Sequence, residues 1–518
     1  MATVALRRPA ALERSIAGVR VLEYAGLAAL VALSLVLRTG QMHVHFWIDE
    51  GLSVGISRHA IADIPRVLRL DGSPPLYYWL LHWWMEVFGR SEAQTHAFSL
   101  LCAMLTIPAA WWAGRSLFGE RAGWALAGLT AINPFLTSYA QETRMYALVI
   151  LLATLCTACF LHAYLYGRRA YRIPFGVLLA ALLYTHNWAF FYALALAVAL
   201  ALVWRASEDR RALARDAGVG FGLAALLYAP WLPTLVFQTL HTGAPWATPP
   251  SFSTLVKSPN LLLGGQSGTY VVALAGGAGL AALAGRSRRD RTVLVPALAV
   301  IAVLPILAAW GLSQASPAWA TRYLAIALPP LLLLAAVGLT RSGRIGVAAL
   351  ALLAASWVYA SGPSAKSNAH YLAETMSPLV HRGDIVLSMQ PEQVPVLSYY
   401  MSPRLTYANP FGIVRDTGVA DWRDGAEHFD RTGVDTQLLP LIRRMRVGQR
   451  LLFVKPIVFK PERWRGPWTS RVRDRSMEYE GVLRADSRLN LVAIVPQHFR
   501  DPGPNPLQGL LFVKTTNG

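Results

Sequence analysis

The sequence has few charged residues for its length. Asp, Glu, Lys and Arg make up 15% of the 518 residues, whereas about a quarter is usual for a soluble domain. Hydrophobic residues account for 54% of the chain, and they are concentrated in residues 21–360. A single soluble domain is therefore excluded, and most of the chain is expected to lie in a membrane.

Cysteine and acidic residues are also scarce. Cys102, Cys156 and Cys159 are the three cysteines, and all lie inside apolar runs, which favours buried thiols over a disulfide or a metal site. Only 29 Asp and Glu accompany 48 Lys and Arg, which leaves a net charge of +19. The basic residues lie mostly in short clusters between apolar runs, where the positive-inside rule places them, so we expect no nucleic-acid partner.

Apolar runs long enough to span a membrane, about 20 residues, recur along residues 1–360. The first, Val21 to Leu37, is expected to be a retained helix because no small-residue cleavage site ends it. Ten more spans are expected at 95–114, 122–139, 145–166, 173–186, 188–204, 217–236, 269–285, 292–312, 323–340 and 345–360. A change in composition near Ser361–Ser364 predicts a boundary with a soluble domain of residues 361–518. The predicted fold class is mainly α, a polytopic membrane helical bundle of about eleven spans with a C-terminal extracytoplasmic α/β domain.

The segment between Arg172 and Arg205 is too long for one crossing, because a helix over it would be about 50 Å long. Polar residues 185–187 interrupt its middle, so two short spans are predicted to meet there. This division leaves nineteen arginines in inner segments and seven basic residues in outer loops, in agreement with the positive-inside rule. The chain is therefore predicted to be a multi-pass protein of the inner or plasma membrane, with a cytoplasmic N-terminus and an external soluble domain.

The soluble domain shows alternating helical and strand-like runs, which predict a small α/β domain. Helices are expected at Asn368–Val380 and Val394–Tyr400, and core strands at Asp384–Ser388, Arg450–Lys455 and Leu489–Val495. It contains no phosphate-binding glycine loop and no nucleophile motif. Acceptor binding and a passive stabilising cap are equally open roles for it.

The first outer loop, residues 39–94, is more than a linker. Ile61, Ile64, Val67 and Leu68 recur at helical spacing, which predicts an amphipathic helix lying flat at the membrane surface. The next segment, Leu76–Phe88, is too short to span and is rich in Trp and Tyr, which prefer the membrane interface. Both segments are also compatible with a simple membrane-resting lid.

The same loop contains two adjacent carboxylates, Asp49 and Glu50, just outside the first span. A charge at bilayer depth costs about 2.5–3.5 kcal/mol or more, which favours a function, although carboxylates facing open water are the simple alternative. His43 and His45 precede them and form only a weak metal-binding pattern. Four further polar clusters fall on the same side under the predicted topology: Asp71–Tyr78, Tyr139–Tyr146, Tyr184–Trp188 and Thr321–Tyr323.

The order and spacing of these five clusters resemble membrane glycosyltransferases of the GT-C type, in the branch of the protein O-mannosyltransferases and the aminoarabinose transferase of lipid A (glycosyltransferase family 39-like). The most specific parts are Asp49-Glu50, the Asp-x-x-Pro-Pro-Leu-Tyr pattern at Asp71 and the Gln-Glu-x-Arg-x-Tyr pattern at Gln141. The resemblance covers most of residues 40–340. It implies inverting transfer of a monosaccharide, on the outer face, from a polyprenyl-phosphate-linked donor to a lipid, polysaccharide or protein hydroxyl of the cell envelope.

The resemblance also implies roles for the catalytic and phosphate-binding residues. Asp49 would be the general base that takes the proton of the acceptor hydroxyl, a step worth about 10²–10⁴-fold in rate. Glu50 is the second catalytic candidate. Arg144, Arg322 and His186 are assigned to the donor phosphate, because negative charge accumulates on the departing group and arginine binds phosphate with two parallel hydrogen bonds.

Asp71, Glu142 and Tyr146 are assigned to the sugar or the acceptor. Two simpler explanations stay open, an ion pair between Glu142 and Arg144 and a helix-end hydrogen bond of His186. No cofactor is required by these residues, while the nearby carboxylates and histidines permit a divalent metal. The expected partners are the polyprenyl-phosphate sugar donor, the cell-envelope acceptor and membrane lipids.

A transporter or flippase of a lipid-linked substrate is the alternative function. It would place charged residues inside the spans, near the middle of the membrane. In this sequence the spans contain few ionisable residues and the carboxylates gather at one boundary. That distribution favours chemistry at a surface over transport.

Overall fold

The computed structural model describes residues 10–284, 289–359, 366–402, 404–459, 461–496 and 505–517. Residues 10–359 are called the helical region and residues 366–517 the C-terminal region. The predicted boundary at Ser361–Ser364 lies outside the described residues, as do Arg7, Arg8, Arg286 and Arg288 from the charge count.

The helical region is built almost entirely of α-helices, as the predicted fold class requires. Its helices are α1 (Ala10–Arg38), α2 (Ile48–Ser57), α3 (Ile64–Asp71), α4 (Leu76–Phe88), α5 (Glu92–Phe118), α6 (Glu120–Ile132), α7 (Pro134–Tyr139), α8 (Tyr146–Phe160), α9 (Arg172–Leu183), α10 (Ala189–Ala206), α11 (Arg210–Tyr228), α12 (Leu232–His241), α13 (Phe252–Leu262), α14 (Gln266–Val271), α15 (Gly277–Ala284), α16 (Arg289–Ala315), α17 (Leu328–Arg341) and α18 (Gly343–Val358).

Seven helical segments of the described chain are long and apolar enough to cross a membrane. They are Val21–Arg38, Glu92–Phe118, Tyr146–Leu165, Ala189–Ala206, Arg210–His241, Val293–Ala315 and Thr321–Arg341. A shorter apolar helix, Gly343–Val358, corresponds to the last predicted span. The other predicted spans coincide with short or broken helices. The chain is a multi-pass membrane protein, and the number of eleven crossings stays a prediction.

The predicted break between residues 172 and 205 is confirmed, since α9 ends at Leu183 and α10 begins at Ala189. The three cysteines are free and buried, as expected. Arg38, at the end of α1, was left out of the charge count and is fully buried. It donates hydrogen bonds to the Thr130 carbonyl at 2.7 Å and to Thr137 Oγ1 at 3.2 Å, which attach α1 to α6 and α7.

Helix α3 has the predicted apolar stripe but not the predicted surroundings. Ile64, Val67 and Leu68 are all buried within the protein. Gln238 of α12 donates a 2.8 Å hydrogen bond to the carbonyl of Leu68. The prediction that this stripe lies flat on a membrane surface is therefore wrong, because other helices of the protein cover it.

The C-terminal region contains a six-stranded sheet in the order β3-β2-β1-β4-β6-β5. Strand β1 is parallel to β2 and β4, and the remaining pairs are antiparallel. The elements are α19 (Ala369–Met376), β1 (Ile385–Ser388), α20 (Val394–Tyr400), β2 (Thr406–Asn409), β3 (Gly412–Ile413), α21 (Gly425–Arg431), α22 (Leu439–Arg444), β4 (Arg450–Pro456), α23 (Pro467–Ala485), β5 (Leu489–Val495) and β6 (Leu507–Lys514). The five elements predicted from the sequence correspond to α19, β1, α20, β4 and β5.

Helix α2 connects the two regions through two glycines one turn apart. A Cβ atom on Gly51 would lie 2.6 Å from Val396 of α20, and one on Gly55 would overlap the carbonyl of Gly418. Only glycine lets the backbone of α2 approach the C-terminal region this closely. Asp49 lies in the first turn of α2, so the contact fixes its position against the C-terminal region.

Candidate active site

Three of the predicted site residues meet at the start of α2. Asp49 Oδ2 lies 3.2 Å from Arg322 Nη2 and 3.9 Å from Arg144 Nε. Arg144 Nη1 also donates hydrogen bonds to the main-chain carbonyl of Asp49 at 3.1 Å and to Ser53 Oγ at 3.0 Å. One carboxylate and two guanidinium groups, separated by up to 273 positions in the sequence, therefore form one cluster.

The two guanidinium groups keep unused hydrogen-bond donors. The Nε atoms of Arg144 and Arg322 are buried and have no hydrogen-bond partner among the described residues. Aromatic rings surround Arg322, whose Cζ lies 5.5 Å from the ring centre of Trp47, 5.6 Å from that of Trp246 and 5.4 Å from that of Tyr323. Buried cations with free donors in an apolar surrounding are suited to bind an anion such as phosphate.

His186 lies in the loop between α9 and α10, beside these cations. Its Nδ1 accepts a 3.0 Å hydrogen bond from the main-chain N–H of Trp188, so the proton of the neutral ring is on Nε2. Burial, together with the charges of Arg144 and Arg322, lowers the pKa of His186 to about 3. The side chain therefore stays neutral at ordinary pH and can donate one hydrogen bond to an anion. The helix-end hydrogen bond that the sequence left open for His186 is the bond at Nδ1. It leaves the Nε2–H free to bind a ligand.

Asp71 is the last residue of α3 and precedes Gly72, which has φ +93°. Burial raises the pKa of the Asp71 carboxyl, while hydrogen bonding to Ser73 and the charge of Arg144 act in the opposite direction. The left-handed turn at Gly72, a conformation that favours glycine, leads the chain away directly after Asp71. The Asp71 carboxyl group is thus near enough to feel the charge of Arg144, and among the described residues it forms no ion pair with an arginine.

Glu50 faces away from this cluster. Its Oε1 accepts a 2.8 Å hydrogen bond from the main-chain N–H of Thr143 and lies 2.7 Å from His96 Nε2. The other ring nitrogen of His96 is 2.8 Å from the carbonyl of Met42. These bonds connect α2 to α5 and to the loop that carries Arg144. In this geometry the Glu50 carboxylate holds α2 in place and does not contact the arginine cluster.

Glu142 does not pair with Arg144, the ion pair that the sequence left open. Its carboxylate accepts hydrogen bonds from Trp47 Nε1 at 3.1 Å and from Lys366 Nζ at 2.5 Å. The Lys366 ammonium lies 4.8 Å from the ring centre of Trp47. The alternative of an ion pair between Glu142 and Arg144 is therefore wrong, because the carboxylate beside Arg144 is that of Asp49.

Tyr146 is fully buried behind the cationic cluster. Its ring centre is 5.9 Å from Arg144 Cζ, 6.0 Å from the ring of His186 and 6.4 Å from that of Tyr323. These contacts place Tyr146 as a support for the groups that face the cavity described next.

A cavity of about 650 Å³ opens over the cluster and lies between the two regions. Five of the eight predicted site residues line it, namely Asp49, Asp71, Arg144, His186 and Arg322. Glu50, Glu142 and Tyr146 do not line it. The opposite wall comes from the C-terminal region and was not predicted; it includes Gln390, Glu392, Trp422, Trp464, Trp468 and Asn505. Trp464 and Trp468, four positions apart, were a local signal that could have indicated part of this wall.

The possibility of a metal was left open by the sequence. Within the ranges that the structure describes, no group of three or more His, Cys, Asp or Glu side chains could hold a metal ion. The His-x-His pattern is used differently, because His45 lies 3.2 Å from Glu92 and its ring stacks at 3.6 Å on His370.

Comparison with known proteins identifies the fold. Residues 72–233 match the family described as dolichyl-phosphate-mannose-protein mannosyltransferase. ArnT from Cupriavidus metallidurans in the apo state superposes with a TM-score of 0.62 at 16% identity, covering 96% of this chain and 98% of that one. The same protein bound to undecaprenyl phosphate gives a TM-score of 0.60 at 15% identity, with coverage of 95% and 97%.

A more distant structure shares the same architecture. The archaeal oligosaccharyltransferase AglB from Archaeoglobus fulgidus, in complex with an inhibitory peptide and a dolichol-phosphate, has a TM-score of 0.54 at 13% identity and covers 83% of this chain and 69% of that one. No curated protein sequence matches the chain. The chain therefore has a GT-C-type fold of the protein O-mannosyltransferase and ArnT-like kind, which confirms the resemblance predicted from its sequence.

Proposed function

We propose that the protein is a glycosyltransferase that moves a monosaccharide from a polyprenyl-phosphate-linked donor to a hydroxyl group of a cell-envelope acceptor. The observation that carries the proposal is the cluster of Asp49, Arg144 and Arg322 on one wall of a large cavity. This cluster offers a carboxylate for a proton and cations for a phosphate within one site. The neighbours bound to undecaprenyl phosphate and dolichol-phosphate support a lipid-linked donor.

The reaction follows from the charges of the cluster. The acceptor oxygen forms a bond to the anomeric carbon as the bond between that carbon and the phosphate oxygen breaks, so the configuration inverts. Asp49 takes the hydroxyl proton, and the polyprenyl phosphate leaves with the electron pair. Arg144 and Arg322 stabilise the charge that develops on the phosphate, and the Nε2–H of His186 donates a further hydrogen bond.

The orientation in the membrane is part of the proposal. We place the N-terminus in the cytoplasm and the cavity with the C-terminal region on the outer face, since this arrangement keeps most arginines of the helical region inside. The acceptor class (lipid, polysaccharide or protein hydroxyl) is then a component of the cell envelope. The position of the charged residues at one end of the spans favours transfer over transport of the lipid-linked substrate.

The test is transfer of a labelled sugar by the purified protein. Undecaprenyl-phosphate mannose, arabinose and glucosamine, each labelled in the sugar, are supplied with a cell-envelope extract as the acceptor source. Arg322→Ala is expected to lower donor use by about 100-fold, as loss of one charge-stabilising group does in other enzymes. Arg341→Ala, an exposed arginine at the far end of the following helix, is the matched control and should retain wild-type activity.

Two results would contradict the proposal. The first is a wild-type protein that binds none of the labelled lipids and transfers no label. The second is wild-type donor kinetics in Arg322→Ala, which would remove Arg322 from the phosphate site.

A further inference from the structure

The wall contributed by the C-terminal region contains a buried carboxylate that the proposed reaction does not use. Glu392 lies in the short 3₁₀ turn before α20 and is 6% exposed. Its Oε1 accepts a 3.1 Å hydrogen bond from Trp468 Nε1. Its Oε2 is buried without a hydrogen-bond partner among the described residues, although the side chain lines the cavity. An unpaired buried polar atom is costly, so a ligand group in the cavity is its natural partner.

Rigid aromatic rings frame Glu392. Trp468 is 1% exposed, and its ring centre lies 5.0 Å from that of Trp422 and 5.3 Å from that of Phe429. Trp464 packs against the same cluster. Tightly packed indole rings keep one orientation and combine a large apolar face with a hydrogen-bonding edge. The wall therefore presents apolar faces around a single hydrogen-bonding carboxyl group.

The wall is connected directly to the cationic cluster. Trp246 packs against the aromatic cluster of Trp468 and also lies 5.6 Å from Arg322 Cζ. The main-chain N–H of Trp468 donates a 3.0 Å hydrogen bond to the carbonyl of Pro245. A Cβ on Gly466 would lie 2.8 Å from the Trp246 carbonyl, so the two segments are in close contact. Trp246 therefore connects Arg322 to this wall, and both line the same cavity.

We propose that Glu392, Trp422, Trp464 and Trp468 form the subsite for the sugar ring of the donor, with Glu392 bonded to a ring hydroxyl. The inference rests on the proposed function and adds the part of the chain that distinguishes one sugar from another. A monosaccharide has apolar C–H faces and hydroxyl edges, and pockets for such ligands combine aromatic walls with a few fixed polar groups. The donor sugar fits better than the acceptor, because it is covalently joined to the phosphate that Arg322 binds.

Burial also sets the protonation behaviour of this carboxyl group. Removal from water, with a smaller contribution from the charge of Asp49, raises the pKa of Glu392 to about 7. Above this pH the free oxygen accepts a charge-assisted hydrogen bond from a sugar hydroxyl. Such a bond is roughly twice as strong as a neutral one.

The experiment compares binding of two lipids to the full-length protein in detergent at pH 8.5. The probes are undecaprenyl phosphate, which has no sugar, and the undecaprenyl-phosphate monosaccharides of the panel above. Glu392→Gln keeps the size of the side chain and the bond from Trp468 but replaces the free oxygen with an amide nitrogen. It should bind the preferred sugar-bearing lipid about 3- to 10-fold more weakly and undecaprenyl phosphate as wild type does. Glu427→Gln, at an exposed carboxylate of the same region, is the matched control.

The outcomes separate this inference from the proposed function. Unchanged preference for the sugar-bearing lipid in Glu392→Gln overturns the subsite while the phosphate site stands. A raised KM for the acceptor with an unchanged donor preference also overturns it, because the wall would then face the acceptor. Wild-type protein that binds neither lipid contradicts the proposed function itself. If Glu392→Gln fails to fold, Trp468→Phe, which keeps an aromatic ring but removes the indole N–H, must show the same loss of preference.

Discussion

Replacing Asp49 with asparagine should have opposite effects on donor binding and on transfer. The substitution keeps the shape of the side chain and removes its charge. In the protein that charge lies 3.2 Å from Arg322 and 3.9 Å from Arg144, the two groups proposed to bind the donor phosphate. The carboxylate and the phosphate therefore compete for the same cations and repel each other. Without the carboxylate the phosphate should bind more tightly, although the proton acceptor is lost.

The size of the effect follows from the geometry. An arginine–phosphate hydrogen bond of about 2.8 Å, added to the 3.2 Å between Arg322 Nη2 and Asp49 Oδ2, puts the two anions about 6 Å apart. At an effective dielectric constant of about 20, two unit charges at that distance repel by about 3 kcal/mol. The side chains of Asp49, Arg144 and Arg322 are 14%, 10% and 23% exposed, so solvent weakens the repulsion. We expect about half of it, which corresponds to about tenfold tighter binding.

The assay measures both quantities on one preparation. The Kd for undecaprenyl phosphate should fall about tenfold in Asp49→Asn, while kcat for sugar transfer should fall by about 10²–10⁴-fold. Asp63→Asn is the matched control, because that carboxylate lies in the same loop and, in the described part of the chain, pairs only with the exposed Arg66. Unchanged or weaker lipid binding in Asp49→Asn would refute the shared cation site. Full transfer activity would remove Asp49 from the mechanism.

Three further predictions concern the supports of the cavity. Because the fold raises the pKa of Glu392 from 4.5 to about 7, the contribution of the protonated side chain to stability is complete below pH 4.5 and is lost as the pH rises through 7. Glu392→Gln should therefore have a free energy of unfolding about 3 kcal/mol above that of wild type at pH 8 and equal to it at pH 4.5. Thermal unfolding at both pH values measures the difference. Lys366→Met removes the charged partner of Glu142 and leaves the bond from Trp47; it should lower kcat several-fold without changing the Kd for undecaprenyl phosphate. Equal losses in both would contradict a positioning role. Gly55→Val places a side chain against Gly418 and should lower the unfolding temperature and activity together, whereas wild-type values would show that the α2 contact is not tight.

Two segments of the helical region, the break between α9 and α10 and the predicted span 122–139, show how much of the helix boundaries local sequence predicts. The polar residues at 185–187 and the charge balance were sufficient for that break. The segment 122–139, in contrast, was predicted as one span but divides into α6 and α7. Asn133 Oδ1 accepts a hydrogen bond from the main-chain N–H of Leu136, and Pro134 follows as the first helical residue. This Asn-Pro pair is a local signal for a helix start and could have indicated the division.

The two adjacent carboxylates show why the site was only partly predictable. With 3.6 residues per turn, neighbouring residues on a helix point about 100° apart. Adjacent residues can still line one cavity, as Ile48 and Asp49 do, so the sequence alone does not show that Glu50 turns away from it. The close contact of Gly51 with Val396 orients α2, and His96 on α5 receives the other carboxylate. Both contacts join residues far apart in the chain, so no local pattern contains them.

The sequence predicted least about the cavity wall of the C-terminal region, because two segments far apart in the chain meet to form it. Trp468 lies in the first turn of α23, and Glu392 lies 76 positions earlier beside α20. No local pattern joins the two residues, yet both line the cavity that Asp49 of α2 also lines. The Lys366 bond to Glu142 adds a second attachment near the same end of the cavity. A passive cap would need neither a buried carboxyl group with a free oxygen nor a lysine reaching into the helical region. This arrangement fits the proposal that the two regions divide one task, in which the helical region supplies the charges for the phosphate and the C-terminal region supplies the surface for the sugar.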